Sequence, residues 1–377
     1  MGEVAQQLLL PDEEGNAAPA RYIPGDEGHP WRLQKYIEYQ AAVPPIGPAT
    51  YLPWAKHYGL CARDCIGLAW FNSTCYCEVT ALHMLQYVGR GEMTADRYWE
   101  EFGKVLVFNS ARRYAKSLGW FVPLMANWEK RTGADPVRWL GRFVDDDPRR
   151  AYRQLYGELE QWQYMGRFSV ELFTDAIVQM SREGLLGEQR FEAPGIHWRE
   201  GANMTSGLFN VFYRDEWAEE YDRTRLVTQE GTHALDEALG NLQDAIHRAY
   251  PHQDVSPSVI TPKLCSWRNL FKATRYAGYH HDRQLEILRH YETQLPGEAL
   301  WERLYALRHE TFDARLLGEC GGWTGIRPER KRLWRKYGLT GAEGLAPRAL
   351  LGHGGSLMST SLPLAQEGER DSEHSRL

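Results

Sequence analysis

Apolar residues recur at helical spacing in segment after segment of this chain, and no convincing run alternates as a strand would. WRLQKYIEYQAAV, after Pro30, reads as a helix stopped by Pro44-Pro45, and a second short helix is expected around Trp54. CARDCIGLAWFNSTCYCEVTALHMLQYVG predicts helix, turn and helix, closed by Gly89. Thr94 suits the N-cap of ADRYWEEFG, and Arg112 to Leu118 and Val137 to Phe143 read as further short helices. Pro148 opens an amphipathic helix with Tyr152, Leu155, Tyr156, Leu159 and Trp162 on one side, and the next helix carries Glu171, Phe173 and Ile177. Thr232 caps another, whose buried face is Leu235, Leu239, Leu242 and Ile246. Helices are also expected at Leu285 to Tyr291, at Leu300 to Leu316 and from Pro328 to Gly338. The fold class that follows is mainly α: a multi-helical body, as one unit or two lobes, with few or no strands.

Breaks in the pattern divide the chain. Residues 1–28 are acidic, rich in Gly and Ala and without periodicity, which predicts a flexible N-terminal segment; residues 346–377 read as a flexible tail. The Gly- and Pro-rich residues 183–207 are the best boundary, separating a helical lobe over 29–190 from a second over 191–345.

The second lobe holds the most informative stretch, PKLCSWRNLFKATRYAGYHHDR, from Pro262 to Arg283. As one helix opening at Pro262, it sets Arg268, Lys272, Arg275 and Tyr279 on a single stripe beside Trp267, Phe271 and Thr274. Cations abutting an apolar seam suit the rim of an anion-binding cleft. A solvated helix face with ordinary core behind it explains the same spacing.

Bulk composition narrows the classes. At 377 residues, 43% hydrophobic and 25% charged, the chain has ample material for a globular core. No apolar run is long enough to span a membrane, and MGEVAQQLLLPDEEGN has no basic region before its Leu run, so a cytoplasmic protein is expected. A net charge of −6 argues against a protein wrapped in nucleic acid. The cations are clustered, however: residues 263–290 hold six Lys or Arg against two acids, and residues 327–336 six against one, including Arg327 and Lys331. Fourteen Trp and twenty Tyr either fill a core or offer stacking faces to an exposed base.

Cys61, Cys65, Cys75 and Cys77 invite a metal reading, but their spacing matches no usual zinc pattern and no His lies among them. Reduced thiols are the expectation, with no metal and no cofactor. Glu78 falls at a helix start, where the helix dipole alone accounts for an acid. Arg167 and Glu171, at i and i+4, fit a surface ion pair or the wall of a pocket. The Gly-rich residues 318–325 ahead of a helix resemble a phosphate cradle but lack the Gly-Lys-Ser/Thr element of a nucleotide loop. His280 and His281 stand among cations that favour a neutral imidazole.

Three stretches together resemble a known family. They are Ala69-Trp70-Phe71 with Thr74, Tyr76 and Glu78; Tyr164-Met165-Gly166-Arg167-Phe168 with Glu171; and Lys263, Trp267, Asn269, Lys272, Arg275, Tyr276, Gly278, Asp282 and Arg283. They look like the bacteriophage α-glutamyl/putrescinyl-thymine pyrophosphorylases, or amino acid:DNA transferases, over about residues 30–345. The resemblance implies a transferase that replaces the pyrophosphate of 5-pyrophosphoryloxymethyl-uracil in double-stranded DNA with an amine, either an amino acid or a polyamine. The setting would be the cytoplasm of an infected host cell.

Under that reading Glu78, Glu171, His281 and Asp282 are the candidates for proton transfer or amine recognition. Arg167, Lys263, Arg268, Lys272, Arg275, Tyr276, Tyr279, Arg283, Arg327 and Lys331 are the candidates for holding pyrophosphate and DNA. Direct displacement and a thiol-assisted route stay open. Other readings are a glycosylase-like enzyme, the hydroxymethyluracil DNA kinase, and a non-catalytic helical DNA-binding phage protein.

Overall fold

A computed structural model describes residues 61–108, 117–133, 135–196, 202–212, 229–271 and 279–295, together with Leu33, Tyr36, Ile37, Tyr39, Gln40, Ala41, Tyr51, Leu52, Ala55, Lys56, Gly59, Leu60, Arg327 and Pro328. Among these residues the protein is mainly α, and no strand occurs. In chain order the helices are α1 (Ala62–Cys75), α2 (Glu78–Met84, running into a π-turn at Leu85–Gly89), α3 (Ala95–Phe102), α4 (Leu118–Thr132), α5 (Pro136–Gly141) and α6 (Pro148–Glu160). They continue with α7 (Arg167–Arg182), α8 (Ala202–Phe212), α9 (Gln229–Ala249), α10 (Pro257–Phe271) and α11 (Tyr279–Gln294).

Two helices at the centre are buried nearly all round. Every residue of α1 from Cys65 to Cys75 is buried, and on α7 only Glu171 and Asp175 keep solvent contact between Ser169 and Ser181. A helix enclosed on all sides has no polar stripe to display, and α1 accordingly shows little amphipathic patterning. α1 packs on α7; α2 and α5 pack on α1, α6 packs on α7, and α11 packs on α2. Indole rings fill the space between. Trp70 stacks on Trp128 at 4.7 Å between centroids, and Trp139 and Trp162 meet at 5.3 Å.

At the edge of this cluster α6 is one-sided, as its spacing predicts. Tyr152, Leu155, Tyr156 and Leu159 are buried, Pro148 stands at the first turn, and the Asp147 carboxylate accepts from Arg149 N–H at 2.9 Å. α4 departs from expectation. A short helix was expected at Arg112 to Leu118, most of which lies outside the described residues; the helix found begins at Leu118 and carries Pro123 inside it. Burial of Phe121, Leu124, Met125 and Trp128 outweighs the cost of a helical proline, about 3 kcal/mol.

A second apolar cluster joins α8, α9 and α10 to helical Tyr36, Ile37 and Tyr39. Leu235, Leu239, Leu242 and Ile246 form its α9 face as expected, although α9 starts at Gln229, ahead of Thr232. α8 lies partly within the expected boundary. Gly207 there has no side chain to hold off α10: a Cβ at this position would fall 2.1 Å from the Leu264 carbonyl oxygen.

The two clusters interleave along the chain. Tyr36, Ile37 and Tyr39 belong to the second, while Ile287, Leu288 and Tyr291 of α11 belong to the first.

The anchor stretch is two helices, which corrects the single stripe. α10 opens at Pro257, five residues before Pro262, because the Ser256 carbonyl accepts from both Val259 and Ile260 N–H at 3.0 Å. Arg268 is on α10 and Tyr279 begins α11. The expected end segments, the helices over 300–316 and 328–338, and the loop at 318–325 lie outside the described residues, Pro328 apart.

Candidate functional site

α1 ends in an abrupt corner. Tyr76 takes the left-handed conformation (φ 51°, ψ 46°), its N–H donates to Asn72 O at 2.7 Å, and extended Cys77 then starts α2 at Glu78. Left-handed backbone costs a residue with a Cβ about 1–2 kcal/mol. Glu78, half-buried, sits at the positive end of α2, as its place after the Cys run predicts.

A ring of hydrogen bonds fixes this corner against α11. Val107 N–H donates to the Tyr291 hydroxyl at 3.1 Å, Tyr291 and Thr80 share a bond of 2.6 Å, and Thr80 donates to Val107 O at 2.7 Å. Thr80 Oγ1 also lies 3.2 Å from Cys77 Sγ. Tyr291 is eight positions beyond Arg283, about 12 Å along the helix. Packed this way, α11 brings Arg283 close enough to act on Cys77.

Burial pushes the Cys77 thiol up to about 11; the Thr80 hydrogen bond and the Arg283 charge oppose the rise, and Glu78 adds to it. Burial also lifts Cys65, to about 12, and Cys75. Buried and protonated, these are poor nucleophiles. No disulfide joins the described cysteines, and among the described residues no group of three or more His, Cys, Asp or Glu is placed to hold a metal.

α7 brings a second set of groups to the same corner. Its N-cap is Gly166, Arg167 is exposed at the first turn, and the Phe168 ring meets Tyr76 edge to face at 5.2 Å. Glu171, one turn on, has one carboxylate oxygen fully buried. A further turn along is Asp175, which the sequence reading missed although its i+4 spacing from Glu171 was visible. Desolvation pushes its carboxyl up to about 7. Burial raises the Tyr152 phenol, and the charges of Asp175 and Glu171 raise it further.

Other expected residues divide. Asp282 is buried at the start of α11, next to Arg283. Arg327 is bound to α11: its guanidinium and N–H pair with Glu286, and it donates to the Tyr279 hydroxyl at 3.0 Å while lying over that ring. Burial disfavours the Arg327 charge, but Glu286 overcomes this and holds its pKa above the ordinary value. Arg268 is half-buried on α10.

Lys263 is corrected. It is 2% exposed, its ammonium donates to Gln40 O at 2.7 Å, and desolvation lowers its pKa to about 7. An ammonium so enclosed has no surface to offer DNA. Lys272, Arg275, Tyr276, Lys331 and the His281 side chain lie outside the described residues.

Two interactions link these stretches: Phe168 at the start of α7 meets Tyr76 at the end of α1, and the Arg283 charge of α11 acts on Cys77, next to Glu78. Their carboxylates can take protons, and Arg167, Arg283 and the α7 N-terminus can hold an anion. No described helix is long and apolar enough to cross a membrane. Compared with protein-family models, curated proteins and solved structures, the chain matches none.

Proposed function

We propose that this protein is a DNA base hypermodification transferase, replacing the pyrophosphate of 5-pyrophosphoryloxymethyl-uracil with an amine nucleophile. One observation supports the reading: the stretches that carry Glu78, Arg167 with Glu171, and Arg283 are linked by the Tyr76–Phe168 ring contact and by the Arg283 charge that acts on Cys77. The chemistry requires both acids and cations. The amine arrives as an ammonium and gives one proton to Glu171 or Glu78. Its lone pair then attacks the methylene carbon as the C–O bond breaks, and that electron pair leaves with pyrophosphate. Arg283, Arg167 and the first-turn N–H groups of α7 stabilise the departing charge. The new secondary ammonium releases its second proton to solvent. Protonated, buried thiols favour direct displacement over transient thiol attack on the ring.

The test is pyrophosphate release from DNA carrying the activated base, with glycine, glutamate or putrescine supplied and the nucleosides identified by mass spectrometry. Glu171→Gln and Arg283→Ala are expected to lower the rate about 100-fold or more while keeping the wild-type helical signal. No release by the wild-type protein, or full activity in both variants, overturns the proposal.

A further inference from the structure

The aromatic side chains do not all go to the core. Trp120 is 46% exposed and Phe168 is 42% exposed, beside Leu118 at 39%. Trp120 sets its ring edge to face with Tyr164 at 5.2 Å, as Phe168 does with Tyr76. Tyr164 and Phe168 stand four positions apart around the start of α7, and Asn127 Nδ2 pins that loop to α4 by donating to Gln163 O at 3.2 Å. The two ring pairs therefore flank the start of α7, Trp120 with Tyr164 just before it and Phe168 with Tyr76 at its first turn.

The backbone gives a second, independent sign. Among the described residues only two non-glycine positions have positive φ, Tyr76 at 51° and Tyr164 at 72°, and both carry rings of these pairs. Glycine takes such a conformation freely and asparagine more easily than tyrosine. Strain retained at two tyrosines marks the side chains as the reason for the choice.

We infer that Trp120, Tyr164, Phe168 and Tyr76 form a stacking face for unpaired nucleobases, so that DNA is held with its strand locally opened beside the reactive corner. The exposed rings of Trp120 and Phe168 offer surface that a base can cover, and stacking of this kind tolerates any base. Exposed Arg167 and the positive end of the 16-residue α7 stand at that same helix start, placed for the phosphate between stacked bases. A few rings with one leucine make too small a patch for a stable protein interface.

The identity of the occupant rests on the proposed function, and the experiment separates the two. Fluorescence anisotropy of the full chain is measured with labelled single-stranded oligothymidylate and with the same strand in duplex. The single strand is expected to bind more tightly, and Trp120→Ala and Phe168→Ala each to weaken it about fivefold or more. Tyr164→Gly is expected to weaken binding likewise while its thermal midpoint holds or rises, since the strain is released; a ring serving only the fold would lower the midpoint and leave binding intact. Equal affinity for single strand and duplex, absence of oligonucleotide binding, or wild-type binding by Trp120→Ala and Tyr164→Gly overturns the inference. If the ring variants lose binding and the wild-type protein performs no transfer, the stacking face stands and the transferase reading falls.

Discussion

Gly207→Ala and Gly240→Ala are the same change in two helices of one cluster, and the structure gives them opposite signs. At Gly207 the new Cβ would lie 2.1 Å from the Leu264 carbonyl oxygen and 2.7 Å from its carbon, both backbone atoms that cannot swing aside. Relief requires α8 and α10 to part by about 1 Å, a gap that forfeits a quarter to a half of each dispersion contact across it. Leu208, Val211, Ile260 and Leu264 are all fully buried near this contact. At about 1.5–3 kcal/mol of burial for each, losing a fraction costs about 2–4 kcal/mol. Alanine's better helix propensity returns about 1 kcal/mol, leaving a net loss of about 1–3 kcal/mol. At Gly240, on α9, nothing lies within 4 Å of the added Cβ, so only the propensity gain remains, about 0.5–1 kcal/mol of stabilisation. Urea midpoints by circular dichroism measure both. Gly207→Ala as stable as wild type, or equal losses in both variants, refutes the close helix contact.

Two further outcomes follow from buried polar groups. Tyr291→Phe removes the hydroxyl that joins Val107 N–H to Thr80, and a loss of about 1–3 kcal/mol is expected in chemical denaturation; an unchanged midpoint contradicts the hydrogen-bonded ring. Lys263 titrates at about 7 when folded, against about 10.4 in the unfolded chain. Between those values the unfolded chain binds more protons, so Lys263 makes stability rise with pH above about 7, by at most about 1.4 kcal/mol per unit. Lys263→Met is expected to remove that rise, read as the difference between wild-type and variant unfolding free energies from pH 7 to 9; parallel curves would show that the amine is not buried.

Legibility followed the direction of burial. α6 and α9 each bury one face, so apolar spacing, with Pro148 at the start of α6, announced them. α8 was hidden because the glycine its packing requires makes GANMTSGLFNVF read as a loop, and α4 because Pro123 reads as a stop. Within the site, Glu78, Arg167, Glu171 and Arg283 were each visible as charges at helix starts or on helix faces. Lys263 looked like their equal, since a cation beside an apolar seam reads the same in sequence whether the seam faces solvent or another helix.

By itself the sequence determined that this protein is helical, where most of its helices run and which residue types carry its charge. Those properties rest on local propensity and on periodicity over a few turns, which neighbouring residues decide. Tertiary structure alone decided that α11 returns to the first cluster, that Lys263 is enclosed while the Arg283 charge acts on Cys77, and that the rings of Trp120 and Phe168 stay outside. A helix face records how much of it must leave water and not which distant face will cover it, so the pairings of α1 with α7 and of α2 with α11 are settled only when the whole chain packs.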